Sequence, residues 1–168
     1  MFGNVPRMFQ KHDKIVRFDV GFEPEAAVSG PVLLQTDNNT FLTFNAVRMT
    51  SDGKRGAVGT GVIEFGGCSV TKFGYPNDEA LGGHPLYKHG LEAYGVFEVL
   101  CSSWIRQMTE QNRVCFPHTS DSKNRHFIFT FHDSTFECVA DDCRATLSIE
   151  PYEQIFRQIA QRVFHDAA

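Results

Sequence analysis

The run "HFIFTFHDSTFECVADDCRATLSI", residues 126–149, alternates apolar and polar side chains with a period of two. Successive side chains on a strand point to opposite faces, so this pattern commits the segment to β structure with one face in a core and the other turned elsewhere. Taking Asp133-Ser134 and Asp141-Asp142 as two-residue loops of consecutive hairpins sets the register of three antiparallel strands, with Thr130 opposite Glu137 and Glu137 opposite Thr146. Phe127, Phe129, Phe131, Phe136, Cys138 and Ala140 then share the core face with Cys143, Ala145, Leu147 and Ile149. Burying the first three rings contributes roughly 1.5 to 3 kcal/mol each, which is strong support for this parity. The reverse face carries Thr130, His132, Thr135, Glu137, Arg144, Thr146 and Ser148.

The first half of the chain reads as further strands at 14–21, 31–36, 40–49, 57–65 and 68–75, rich in β-branched and aromatic residues. Asp-Asn-Asn, Ser-Asp-Gly and Gly-Gly separate the later ones and supply tight-turn conformations, so they form an antiparallel meander rather than βαβ units. The glycines of "GAVGTGVIEFGG" lack the Gly-Lys-Ser/Thr signature and the following helix of a phosphate loop, and instead mark bulges or close backbone approaches. Residues 94–101 add another strand. Ser102 or Ser103 caps a short helix near 102–112, with Trp104, Ile105 and Met108 on one side. Pro151 opens a C-terminal helix near 151–165, whose stripe of Ile155, Phe156, Ile159, Ala160, Val163 and Phe164 is laid on the sheet or offered to a partner. The predicted fold is a single α+β domain over 1–168, with residues 1–13 loosely ordered. It has about nine mainly antiparallel strands, curled as a barrel-like sheet or stacked as a sandwich, and two helices.

A length of 168 residues with 42% hydrophobic and 21% charged composition is enough to bury one continuous core without staples. The net charge of −4 and the scattered basic residues leave no footprint for a phosphate backbone, so nucleic acid is excluded as an expected partner. No apolar stretch reaches membrane-spanning length and the N-terminus lacks a secretory pattern, so a soluble, cytoplasmic chain is expected. The five cysteines are odd in number and irregular in spacing, and are expected to be reduced, with Cys138 and Cys143 as packing residues.

Residues 76–93, "PNDEALGGHPLYKHGLEA", form a long connection with no sustained period but with apolar residues throughout, the composition of a lid or binding loop. The loop supplies Asp78, Glu79, His84, Tyr87 and His89, and the polar sheet face supplies Thr130 and Arg144; together these are the expected ligand contacts. His132 and Glu137 are the candidate acid/base pair. If the loop folds over that face, His84, His89 and His132, with Glu137, offer nitrogen and oxygen ligands to a divalent transition metal such as zinc or iron. Their spacing matches no metal motif. The bland alternative is a solvated face bearing a Glu137–Arg144 ion pair.

The phrases "KFGYPNDEALGGHPLYKHG", "YGVFEVLCSSWIRQMTEQNRVCFP" and "RHFIFTFHDSTFECVA" together resemble a family of small, uncharacterised bacterial proteins, over residues 57–165. The resemblance implies a bacterial, cytoplasmic, single-domain protein and assigns no activity, ligand or catalytic residue. Three functions stay open at this level. The first is a module binding a small molecule or a protein through the 76–93 loop and the polar face of strands 126–149. The second is an enzyme using the His/Glu pair, with or without metal. The third is a structural protein assembled as a homodimer.

Overall fold

The computed structural model describes residues 12–120 and 123–165. Residues 1–11 of the expected loose N-terminal segment lie outside them. The chain runs β1 (Lys14–Arg17), β2 (Glu23–Pro24), β3 (Val32–Gln35), β4 (Thr40–Met49), β5 (Arg55–Gly66), β6 (Val70–Gly74), β7 (Val96–Leu100), α1 (Ser103–Cys115), β8 (Arg125–Thr130), β9 (Thr135–Ala140), β10 (Asp142–Ser148) and α2 (Tyr152–His165). One sheet has the order β1-β7-β8-β9-β6; the other has β10-β5-β4-β2, with β3 also on β4. Every pairing is antiparallel. Both sheets are open, so of the two expected architectures the molecule is the sandwich. No helix among the described residues is long and apolar enough to cross a membrane.

Phenylalanine rings hold the two sheets together. Phe44 and Phe65 of the second sheet meet Phe129 of the first at centroid separations of 6.1 and 5.8 Å, and Phe65 meets Phe136 at 5.4 Å, all in tilted or edge-on arrangements that complement the ring quadrupoles. Phe127, Phe129, Phe131, Phe136, Cys138 and Ala140 all lie in this core, as the period-two pattern requires. Burial raises the thiol pKa of Cys138 and lifts that of Cys143 to about 12, the behaviour of packing residues.

The register within that pattern differs from the expected one. Phe131 N donates to Ser134 O at 2.8 Å and closes a four-residue turn, so Thr130 pairs with Thr135, Phe129 with Phe136 and Ile128 with Glu137. The offset of two residues is one full side-chain period, which leaves every residue on its expected face. The second expected hairpin does not form. After Ala140 the chain crosses to the other sheet, where β10 pairs with β5 and Arg144 lies opposite Glu64. Cys143, Ala145 and Leu147 still face the core, but from the opposite wall, and Ile149 passes beyond the strand and is 89% exposed.

The meander breaks in the same way between β5 and β6, which belong to different sheets. The two crossings lie side by side: Asp141 N donates to Gly66 O at 2.9 Å, and a Cβ on Gly67 would stand 2.2 Å from the Asp141 carboxylate. Gly67 takes φ +58° at this crossing, a left-handed conformation that glycine adopts without strain.

Helix α2 turns Ile155, Ile159 and Val163 onto Phe41 on the outer face of the second sheet, so the stripe serves its own core rather than a partner. The buried part is narrower than expected, since Phe164 is 75% exposed. Helix α1 extends to Cys115, beyond its expected end, and its Trp104, Ile105 and Met108 are half-buried.

A bulge bends β5 between the pairs Ala46–Gly59 and Val47–Ala57, and Gly59 takes φ +128° there, with the Ser148 carbonyl 2.2 Å from where a Cβ would stand. Gly59→Ala is expected to destabilise the protein by about 2 kcal/mol or more, while Gly82→Ala, at an open position without positive φ, changes stability by less than about 0.5 kcal/mol. Urea denaturation of both variants checks this. Equal midpoints would remove the role given to Gly59.

Candidate functional site

The outer face of the first sheet is where the 76–93 loop lies. Asn77 Oδ1 accepts from Ala80 N at 3.1 Å and Asp78 Oδ1 from Glu79 N at 2.8 Å, starting two short 3-10 turns at Leu81–Gly83 and Tyr87–His89. These turns direct Leu81, Leu86 and Leu91 onto Phe97, Val99 and Ile128, forming a second hydrophobic cluster on the side of the sheet away from the main core. The polar residues beside that cluster are therefore desolvated and must find partners within the protein. Thr130 Oγ1 donates to Glu92 O at 2.8 Å and accepts from Gly95 N at 3.0 Å, and Thr135 Oγ1 donates to Pro76 O at 2.9 Å. Among the described residues no buried side-chain nitrogen or oxygen lacks a partner.

Glu137 is the centre of this face, only 6% exposed. Its Oε1 is 3.2 Å from His84 Nε2 and its Oε2 is 2.8 Å from His126 Nε2, with Lys72 Nζ 3.8 Å away on the neighbouring strand. His84 Nδ1 accepts from Leu86 N at 3.1 Å, which places the ring proton on Nε2 and makes it a donor to the carboxylate. Ser102 Oγ accepts from Ile105 N at 3.2 Å and sits 2.9 Å from His126 Nδ1, so the hydroxyl that caps α1 also fixes the His126 ring with its Nε2–H toward Glu137. Burial by itself would raise the Glu137 pKa. The donors from His126 and His84, with the Lys72 charge, outweigh it and hold the carboxyl at about 2.

A cleft of about 480 Å³ opens over this carboxylate. The loop (His84, Leu86) forms one wall, the start of α1 (Trp104, Gln107) another, and Lys72 and Tyr75 the strand side. Asp13 closes the end, where its carboxylate accepts from Ser103 N and, at 2.6 Å, from Ser103 Oγ. Trp104 packs edge-on to His126 at 5.1 Å, and Lys72 Nζ lies 3.6 Å from the centroid of the Trp104 ring.

His132 belongs to a separate cluster. Its Nδ1 is 2.9 Å from Asp78 Oδ2, the Tyr94 hydroxyl donates to the same oxygen, and Asp78 N donates to His132 O at 3.0 Å, fastening the start of the loop to the β8–β9 turn. The Tyr94 hydroxyl, and then His132, lower the Asp78 pKa; Asp78 in turn raises His132 and lifts Tyr94 to about 12. The expected His132–Glu137 pair is not formed, because each group has other partners. His84 does reach Glu137, and Thr130 is buried beside them as a backbone clamp. Glu79, Tyr87 and His89 are exposed on the loop. Arg144 lies on the other sheet, 3.2 Å from Asp142, and takes no part in the site.

The expected metal set of His84, His89 and His132 is dispersed, and among the described residues no group of three or more His, Cys, Asp or Glu side chains is arranged to hold an ion. His84 and His126 present N–H groups to Glu137 where a metal would need lone pairs. Sequence reasoning passed over His126, Ser102, Lys72 and Trp104 as members of the site. For His126 the signal was its parity, which it shares with Thr130. Comparison with protein-family models, with curated proteins and with solved structures finds no match.

The linkage sign for Glu137 is that of a carboxylate with a depressed pKa. Its contribution of about 3 kcal/mol is fully present above the unfolded value of 4.5 and is lost as pH falls toward about 2. Glu137→Gln is therefore expected to flatten the dependence of stability on pH across that window while lowering stability at neutral pH. Urea titrations at several acidic pH values measure the slope. An unchanged slope would refute the ionised state assigned to Glu137.

Proposed function

We propose that this protein is a small-molecule-binding module whose site is the cleft above Glu137. The observation that carries this reading is an ionised carboxylate, desolvated and held by two histidines, at the floor of a cleft walled by four separate segments of the chain. A buried charge is a poor stabilising device, because a well-packed apolar residue usually serves the fold as well or better. Clefts with apolar walls and a few convergent polar groups are the usual form of small-molecule sites. Leu86, Pro85 and Trp104 provide the walls here, and Glu137, His84 and Gln107 the polar groups.

A second reading, acyl transfer by Ser102, has one observation in its favour: the hydrogen-bonded series Ser102–His126–Glu137 is ordered as nucleophile, base and orienting acid. Against it, Ser102 is only 5% exposed and its Oγ already accepts from Ile105 N as the cap of α1. Binding is the better-supported function. A fluorophosphonate probe that labels wild-type protein but not Ser102→Ala would reverse this order.

Trp104 is the only tryptophan in the chain, so its fluorescence reports on the cleft alone. A panel of amines, amino acids, sugars and nucleosides is expected to contain compounds that change this emission and raise the melting temperature, since ligand at about 100 times Kd stabilises by about 2.7 kcal/mol. Glu137→Gln should weaken those responses. A silent panel, or responses that survive in full in both Glu137→Gln and Leu86→Glu, would overturn the binding reading.

A further inference from the structure

Lys72 shows what the cleft attracts. It stands on β6, an edge strand, directly opposite Glu137, and more than half of its side chain is exposed. Such a lysine normally extends into water, where its ammonium is best hydrated and its stem keeps its rotamer freedom. Here the stem folds back, and Nζ lies 3.6 Å from the centre of the Trp104 ring and 3.8 Å from Glu137 Oε1. An indole face is the strongest of the aromatic partners for a cation, and the ionised carboxylate adds a Coulomb attraction that partial burial leaves poorly screened. Lys72 therefore occupies, from within the chain, a position that binds cations.

We propose that the cleft is a site for alkylammonium ligands, with Lys72 as an internal occupant that the ligand displaces. The inference rests on the small-molecule reading of the cleft and names its ligand class. Three features favour a cation over an anion. Two carboxylates, Glu137 and Asp13, line the cleft against a single Lys or Arg side chain, Lys72 itself. With Lys72 swung outward, the remaining charge at the floor is negative. Tyr75, 85% exposed at the rim, offers a second aromatic face toward an incoming group.

The geometry also favours an alkylated ammonium over a bare one. The Glu137 oxygens are already met at 2.8 and 3.2 Å by His126 and His84, whereas Lys72 Nζ, at 3.8 Å, is close enough for charge attraction and too far for a hydrogen bond. The site holds its cation through field and ring face without using an N–H donor. A quaternary ammonium meets that requirement and costs less to desolvate than a primary one.

Choline, titrated by calorimetry and by Trp104 fluorescence, tests the proposal, with 3,3-dimethylbutanol as its uncharged isostere. Choline is expected to bind, and to bind Lys72→Ala about fivefold more tightly, because the competing internal cation is gone. The isostere should bind at least about tenfold more weakly than choline, and Trp104→Leu should abolish calorimetric binding of choline. Equal affinity for choline and its isostere would overturn the cation site and leave the small-molecule cleft standing. Failure of choline to bind both wild type and Lys72→Ala, while other compounds of the panel still bind, would overturn it too; failure of everything would remove both readings together.

Discussion

The interlocked phenylalanine rings between the sheets fix where every other side chain can go. Phe127, Phe129 and Phe136 insert from one wall against Phe44 and Phe65 from the other, and a strand so anchored cannot rotate its remaining residues inward. His126, Ile128 and Thr130, with Thr135 and Glu137, are consequently committed to the outer face of the first sheet. The chemistry of the molecule is displaced there by the requirements of its core.

What that outer face becomes is decided by the loop. Left in water, Glu137 would be an ordinary surface carboxylate of small energetic weight. The leucines at 81, 86 and 91 bring a second apolar layer onto Ile128, Phe97 and Val99, and the carboxylate beside that layer loses its water. Desolvation on this scale is tolerable only with donors at hydrogen-bonding distance, which the loop supplies through His84 and β8 through His126, while Lys72 on β6 adds a nearby positive charge. The same side chains hold the structure together: Ser102 ties α1 to His126, and Trp104 of α1 packs on the same ring. Site and scaffold are one network at this point, so a change at Glu137 registers in both stability and binding.

Much of this was legible in the sequence, for identifiable reasons. The phenylalanine face, the Ser102 cap, the C-terminal helix on the sheet and the glycine bulge of β5 follow from local rules of period, capping and backbone conformation. The sequence also marks residues 76–93 as a long connection too apolar for disorder; that it closes over the polar face is decided by the tertiary contacts of its leucines with Phe97, Val99 and Ile128. His132 and Arg144 went elsewhere for reasons no local rule contains. Asp78 and Tyr94 take up His132, and the crossing at Asp141 carries Arg144 to the far side of the molecule.

The errors share one physical origin. A pairing offset of two residues leaves the period-two pattern unchanged, so a two-residue turn after His132 and a four-residue turn after Thr130 write the same alternation. A strand that leaves one sheet for the other also keeps its pattern, because the inner faces of both walls are apolar. The sequence by itself determined which side of each strand is buried, and so that Glu137 faces away from the phenylalanines. Only the tertiary structure decided which strands are neighbours, and hence that His126, His84 and Lys72 surround that carboxylate, since proximity across a sandwich depends on chain crossings that alternation does not encode.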